Sequence, residues 1–66
     1  MKIFLNGESY DLAAQTTVAA LLLQLELEAR NVAVEVNLDV VPRQRHPDVI
    51  LHDGDRLEIV TLVGGG

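Results

Sequence analysis

The 66-residue chain has no cysteine and no tryptophan, one phenylalanine, one tyrosine and only five basic residues. Each shortage closes off a class of function. Without cysteine there is no disulfide framework, no thiolate zinc site and no sulfur nucleophile. Five basic residues against ten acidic ones give a net charge of −5. Nucleic-acid binding needs a basic footprint, so this balance argues against it and for partners with positive surfaces. No apolar run approaches the roughly 20 residues of a membrane span, and no basic, apolar leader is recognisable. A cytoplasmic protein without membrane or nucleic-acid partners is the expectation. The only serine, Ser9, has no histidine near it in the chain, so a hydrolytic triad has no basis. Gly7 and Gly54 stand singly, which does not make a phosphate-cradling loop. A chain this short buries about 60% of its unfolded surface, enough for one core. An enclosed catalytic cleft of about 300–1,000 Å³ needs walls that it can scarcely supply, so an enzyme is not expected.

What is present reads as one compact α+β domain. Hydrophobic residues make up 48% of the chain. Asn6-Gly7 is the dipeptide best suited to a two-residue hairpin turn with φ > 0 at both positions. With those two as the loop, Ile3 faces Tyr10 and Met1 faces Leu12 on a core-like side. Lys2 then faces Asp11, a matched charge pair, and Phe4 faces Ser9 on the other side. Thr16 and Thr17 offer a helix N-cap. After them Val18, Leu21, Leu22 and Leu25 fall within an arc of about 100°, a core stripe. Leu23 and Leu27 lie nearly opposite that stripe, as surface leucines or as a contact to a partner. Asn31 is expected to mark the helix exit. Residues 32–37 alternate as a strand. Val40-Val41 is a short apolar piece stopped by Pro42, and Val49-Ile50-Leu51 is expected to pack under the sheet. Asp53-Gly54-Asp55 reads as a tight turn rather than as paired carboxylates or a calcium loop. The last strand is Arg56 to Val63, with Leu57 and Ile59 inward and Val60 and Leu62 outward.

Two side-chain clusters are conventional site candidates. His46 and His52, with Asp48 and Asp53, lack regular ligand spacing and read as surface histidines, so no metal is expected. Arg43, Arg45 and His46 form the one local positive cluster, either a solvated loop or a dock for an acidic patch or phosphate.

The remaining candidate is the glycine run Gly64-Gly65-Gly66. It is either a frayed end or a device. Three extended residues reach about 10 Å. Without side chains they can enter a channel too narrow for any other residue. The reactive group there is the Gly66 carboxylate, a poor electrophile that becomes useful once it is converted to an acyl-adenylate. Sulfur or amine nucleophiles can then displace AMP. Residues 1–63 are thus read as the folded domain and 64–66 as a flexible glycine tail.

The order β-β-α-β followed by an irregular stretch and a last strand fits a β-grasp roll, a mixed sheet with one helix across one face. Spread over the whole chain are Asn6-Gly7, Thr17-Val18 with Leu21-Leu22 and Leu25, Val36-Asn37 with Val41-Pro42-Arg43, Asp53-Gly54-Asp55 and Val63-Gly64-Gly65-Gly66. Their order and spacing resemble the ubiquitin-like sulfur-carrier family, and within it the carriers of thiamin biosynthesis. The chain departs from that pattern at His46, where an aromatic residue, often tryptophan, is common. The resemblance implies that the protein is a recycled co-substrate and binds no cofactor of its own. It implies that an E1-like adenylyltransferase uses ATP with Mg to adenylate Gly66. A cysteine desulfurase system would supply sulfur through a persulfide, giving a thiocarboxylate that thiazole synthase consumes. Gly64 and Gly65 would thread into partner active sites. The strand faces point Phe4, Val60 and Leu62 away from the helix. With the first and last strands as neighbours they form an apolar patch leading to the tail, where those partners dock, the alternative being scattered exposed apolar residues. The nearest alternatives are the small subunit of molybdopterin synthase, which usually has a Phe/Pro-rich segment where this chain has Ile59-Val60-Thr61-Leu62-Val63, and other carriers or protein modifiers of the same fold.

Overall fold

A computed structural model describes residues 1–62. The elements in chain order are β1 (Lys2–Leu5), β2 (Glu8–Asp11), α1 (Val18–Gln24), β3 (Val32–Val36), β4 (Asp39–Val41) and β5 (Arg56–Thr61). Two short 3-10 turns, Ala29–Asn31 and Arg43–Arg45, fill the connections. The five described strands form one sheet in the order β2-β1-β5-β3-β4. β1 and β5 run parallel, and the other pairs are antiparallel. This is the expected β-grasp roll. No described helix is long and apolar enough to cross a membrane.

The first hairpin has the register that its turn dictates. Ile3 pairs with Tyr10 and Phe4 with Ser9. Asn6 and Gly7 take φ of 50° and 87°, the left-handed values that a two-residue hairpin turn demands. Lys2 and Asp11 are backbone partners, but the ion pair expected of them does not form. Both side chains are exposed, where such a pair contributes little.

Thr17 caps α1, its hydroxyl accepting the Ala20 N–H at 3.1 Å. The helix ends at Gln24, well before Asn31, because Glu26 turns left-handed at φ 59°. The Leu27 N–H then reaches the Leu22 carbonyl at 2.9 Å and the Glu26 N–H reaches that of Leu23 at 3.1 Å. Those two bonds are a Schellman stop, which brings the residue after the left-handed one back against the last helical turn. Leu27 therefore folds onto the core, whereas an uninterrupted helix would place it opposite. Leu23 stays 78% exposed.

Val40-Val41 belongs to β4, a strand that pairs with β3 through a turn at Asn37-Leu38. Asn37 is thus a turn residue rather than the end of a strand. Both turn residues have positive φ, 52° and 74°. Ile50 does not pack under the sheet: its backbone bridges to Thr17 and its side chain points outward, while Leu51 enters the core. The core joins Ile3 of β1, Val18, Leu21 and Leu22 of α1, Val34 of β3, Leu57 of β5 and Leu51. It lies between α1 and the inner face of the sheet, and Leu57 and Ile59 fix β5 to it as their alternation predicts.

Candidate functional site

The site is built around β5, whose chain runs on toward the glycines. β5 is the middle strand, so it is held from both edges. Asn6 holds one edge beyond the end of β1. Its backbone N–H donates to the Leu57 carbonyl at 2.9 Å. Its side-chain amide then donates to the Ile59 carbonyl at 3.1 Å and accepts the Ile59 N–H at 2.9 Å. The side chain imitates one more residue of strand. Asn37 does the corresponding work at the start of β5, from the other hairpin. Its Oδ1 accepts the Arg56 N–H at 3.0 Å, and its backbone N–H donates to the Arg56 carbonyl at 2.7 Å. Its Nδ2 donates to Asp55 Oδ1 at 3.0 Å, and the other oxygen of that carboxylate accepts the His52 N–H.

Asp53-Gly54-Asp55 is a turn, and its carboxylates serve the backbone. Asp53 accepts the Lys2 N–H at 2.8 Å, and the Asp55 carbonyl accepts the Phe4 N–H. At the far end Leu62 N–H donates to the Asn31 carbonyl at 2.8 Å. The strand is thus tied from Asp55 to Leu62. Gly64, Gly65 and Gly66, the expected reactive tail, lie outside the described residues, as does Val63.

The outer face of β5 has a defined order of side chains. Val60 is 54% exposed and lies beside Ala33 of β3, and Leu62 is 50% exposed. Glu58 lies beside Glu35, and Val40 of β4 pairs with Glu35. Arg56 lies beside Phe4, its guanidinium 5.0 Å from the ring centroid. At about 3.3 Å per residue, Phe4 and Val60 are therefore roughly 13 Å apart along the strand direction. Phe4, Val60 and Leu62 share the outer face but do not form one apolar patch. The apolar end is Val60, Ala33 and Leu62, and charged Arg56 and Glu58 separate it from Phe4.

The histidines part company. His52 is exposed, whereas His46 is 3% exposed and its Nε2 lies 3.2 Å from the Val41 carbonyl. His46 is therefore not a surface histidine. It tucks its ring inward, and the expected positive cluster reduces to exposed Arg43 and Arg45. No group of three or more His, Asp or Glu residues is placed to hold a metal ion among the described residues. The two asparagine clasps went unread in the sequence because Asn6 and Asn37 also satisfy a simple turn reading. Their positive-φ role is local, whereas their bonds to β5 span 53 and 19 residues.

Comparison with known proteins places this geometry. The family model described as the ThiS family matches residues 3–66. A thiazole synthase of Paramagnetospirillum magneticum is 48% identical over the whole chain, which spans 20% of that protein's length. The sulfur carrier protein ThiS of Bacillus subtilis is 40% identical over 94% of this chain and 96% of its own. The crystal structure of a thiamine biosynthesis protein (ThiS) from Geobacter metallireducens superposes with a TM-score of 0.86 at 32% identity, covering all of both chains. The match to a full-length carrier and the match in fold agree, and the chain belongs to the ThiS family of sulfur carriers in thiamin biosynthesis.

Proposed function

We propose that this carrier works through the Gly66 carboxylate, as a protein co-substrate of partner enzymes. An E1-like adenylyltransferase joins that carboxylate to the AMP part of ATP, with Mg, and releases pyrophosphate. A persulfide sulfur, drawn from cysteine by a desulfurase, attacks the acyl carbon and AMP leaves. A thiol then reduces the resulting acyl disulfide, leaving a thiocarboxylate on Gly66. Thiazole synthase takes that sulfur, and the carboxylate is restored for another round.

The observation that supports this reading is the double clasp on β5. Asn6 and Asn37 fix the strand from opposite edges, and Leu62 is tied to Asn31. A stiff strand lets a short glycine segment be delivered at a defined place, because little conformational entropy remains to be lost before Leu62 on docking. Glycines at 64 and 65 admit the segment to a narrow channel. Partners dock beside it on Val60, Leu62 and Ala33, flanked by Glu58 and Glu35, which favour a basic partner surface. Phe4 contributes at the Arg56 end of the same face.

The test is intact-mass analysis of the purified protein, with ATP, Mg, an E1-like adenylyltransferase and a persulfide donor. The mass of the starting protein first establishes that Gly66 carries a free carboxylate. The expected product is heavier by the difference between sulfur and oxygen, and it loses that difference when thiazole synthase and its substrates are added. Conjugates to lysines of other proteins, with no thiocarboxylate, would replace the reading with that of a protein modifier.

A further inference from the structure

On the helix side of the molecule, α1 and the two 3-10 turns frame an open groove of about 550 Å³. It exists because the helix stops early. The left-handed turn at Glu26 brings Leu27 back beside Leu22 and leaves a channel between that corner and the segment holding His46. Leu22, Leu23, Leu27, Ala29, His46 and Pro47 give it an apolar lining. Leu23 alone puts a large exposed apolar side chain along it.

The charge at its rim is positive. Arg30 and Glu28 form an ion pair at 2.8 Å and neutralise each other. Arg43, also at the rim, has no ion-pair partner among the described residues, and neither has Arg45 in the same turn. In a chain of net charge −5 the Arg43 cation sits against the groove, while Glu35 and Glu58 face each other on the outer sheet face. His46 adds a further sign of an unfilled role. With Nε2–H donating to Val41, its buried Nδ1 has no hydrogen-bond partner among the described residues. An unmet buried polar atom is costly, and a backbone N–H brought by an occupant would offset that cost.

We propose that this groove is a second docking surface, for an acidic amphipathic segment of a partner protein. One or two large apolar side chains of that segment bury against Leu22, Leu23 and Leu27, and a carboxylate of the same segment pairs with Arg43. The open side of the groove suits a chain segment better than a small ligand, which needs most of its surface enclosed. Val60 lies on the other face of the sheet, so an occupant here leaves the proposed sulfur-transfer face free. This proposal does not depend on the chemistry at Gly66.

The test is a titration of the isotope-labelled protein with a synthetic peptide, Glu-Leu-Glu-Glu-Leu-Phe-Glu-Leu, followed by amide NMR. The expected shifts centre on Leu23, Leu27, Ala29, Arg43 and His46 and leave Ala33 and Val60 unmoved. Arg43→Glu should weaken the peptide about tenfold or more by like-charge opposition, with an unchanged thermal midpoint. Leu23→Glu, also at an exposed position, should abolish binding. A peptide with lysine in place of every glutamate should not bind. Equal binding of the lysine peptide, shifts centred on Val60, or no shifts at millimolar peptide would each overturn the proposal. So would concentration-dependent shifts of Leu23 and Leu27 without peptide, since the occupant would then be a second copy of the chain.

Discussion

The side-chain amide of Asn6 grips both backbone polar groups of Ile59, accepting from its N–H at 2.9 Å and donating to its carbonyl at 3.1 Å. A residue in the first turn of the chain thereby completes the ladder of the last strand. Asn6→Gly keeps the left-handed turn and removes only the clasp. It should cost about 1–3 kcal/mol in urea unfolding, since the Ile59 groups lose their partners. Asn6→Ala adds the left-handed penalty of a residue with a Cβ and should cost about 1 kcal/mol more. A 66-residue domain has only about 3–10 kcal/mol to lose, so these are large effects. A loss below about 0.5 kcal/mol for the glycine variant would show that water replaces the clasp without penalty.

Leu38 poses the opposite case. It occupies the β3–β4 turn at φ 74° and is 87% exposed, so it suffers left-handed strain and gains no burial. Leu38→Gly converts the turn to Asn-Gly, the dipeptide hairpins favour. Relief of about 1–2 kcal/mol exceeds the roughly 0.5–1 kcal/mol of extra unfolded-state freedom that glycine brings. The variant should unfold at a higher urea midpoint with the same slope. A lower midpoint would mean that the leucine side chain makes a stabilising contact.

Glu35 and Glu58 are direct cross-strand partners. Like charges in that position destabilise, so Glu35→Lys should stabilise the fold by about 0.2–1 kcal/mol, with the gain shrinking in high salt. The same change should slow association with a basic E1-like partner in stopped-flow measurements. Unchanged association would remove these carboxylates from the docking face.

Val60 and Leu62 test the docking face from its apolar end. Val60→Ala and Leu62→Ala remove half-exposed side chains, so thermal midpoints should move little. Each should weaken binding to the adenylating enzyme about five- to thirtyfold, the effect of losing about 1–2 kcal/mol at an interface. Phe4→Ala should weaken it less, because Arg56 and Glu58 stand between that ring and Val60. Wild-type affinity in all three would dismiss this face as the dock.

Removal of Gly66 tests the chemistry apart from the docking. The shortened protein should still bind the adenylating enzyme, competing with the intact carrier, yet yield no thiocarboxylate by mass. If it gains sulfur as fast as the intact chain, Gly66 is not the acceptor.

Much of the fold was legible in the chain because its signals are local. Asn6-Gly7 set the first hairpin register, pairing Ile3 with Tyr10, since a two-residue turn leaves no slack. Thr17 marked the start of α1, and alternation put Leu57 and Ile59 inward. The helix end was not legible. Glutamate is no usual left-handed residue, so nothing at Glu26 announced the turn that folds Leu27 back against the core. The second hairpin hid for a similar reason, since Leu38 is an unexpected resident of a positive-φ turn.

The sequence by itself determined the composition and located the glycine run, its one unusual chemical feature. Cysteine-free composition, net negative charge and the run Gly64-Gly65-Gly66 need no coordinates. Tertiary structure decided what those residues stand beside. It separated Phe4 from Val60, because the parallel register of β1 on β5 aligns Phe4 with Arg56. It buried His46 and left Arg43 at the rim of an apolar groove with no ion-pair partner among the described residues. It also turned two turn-forming asparagines into the clasps of the central strand. Registers between distant strands, and side-chain bonds across 53 residues, are set by how the whole chain packs, and no local pattern carries them.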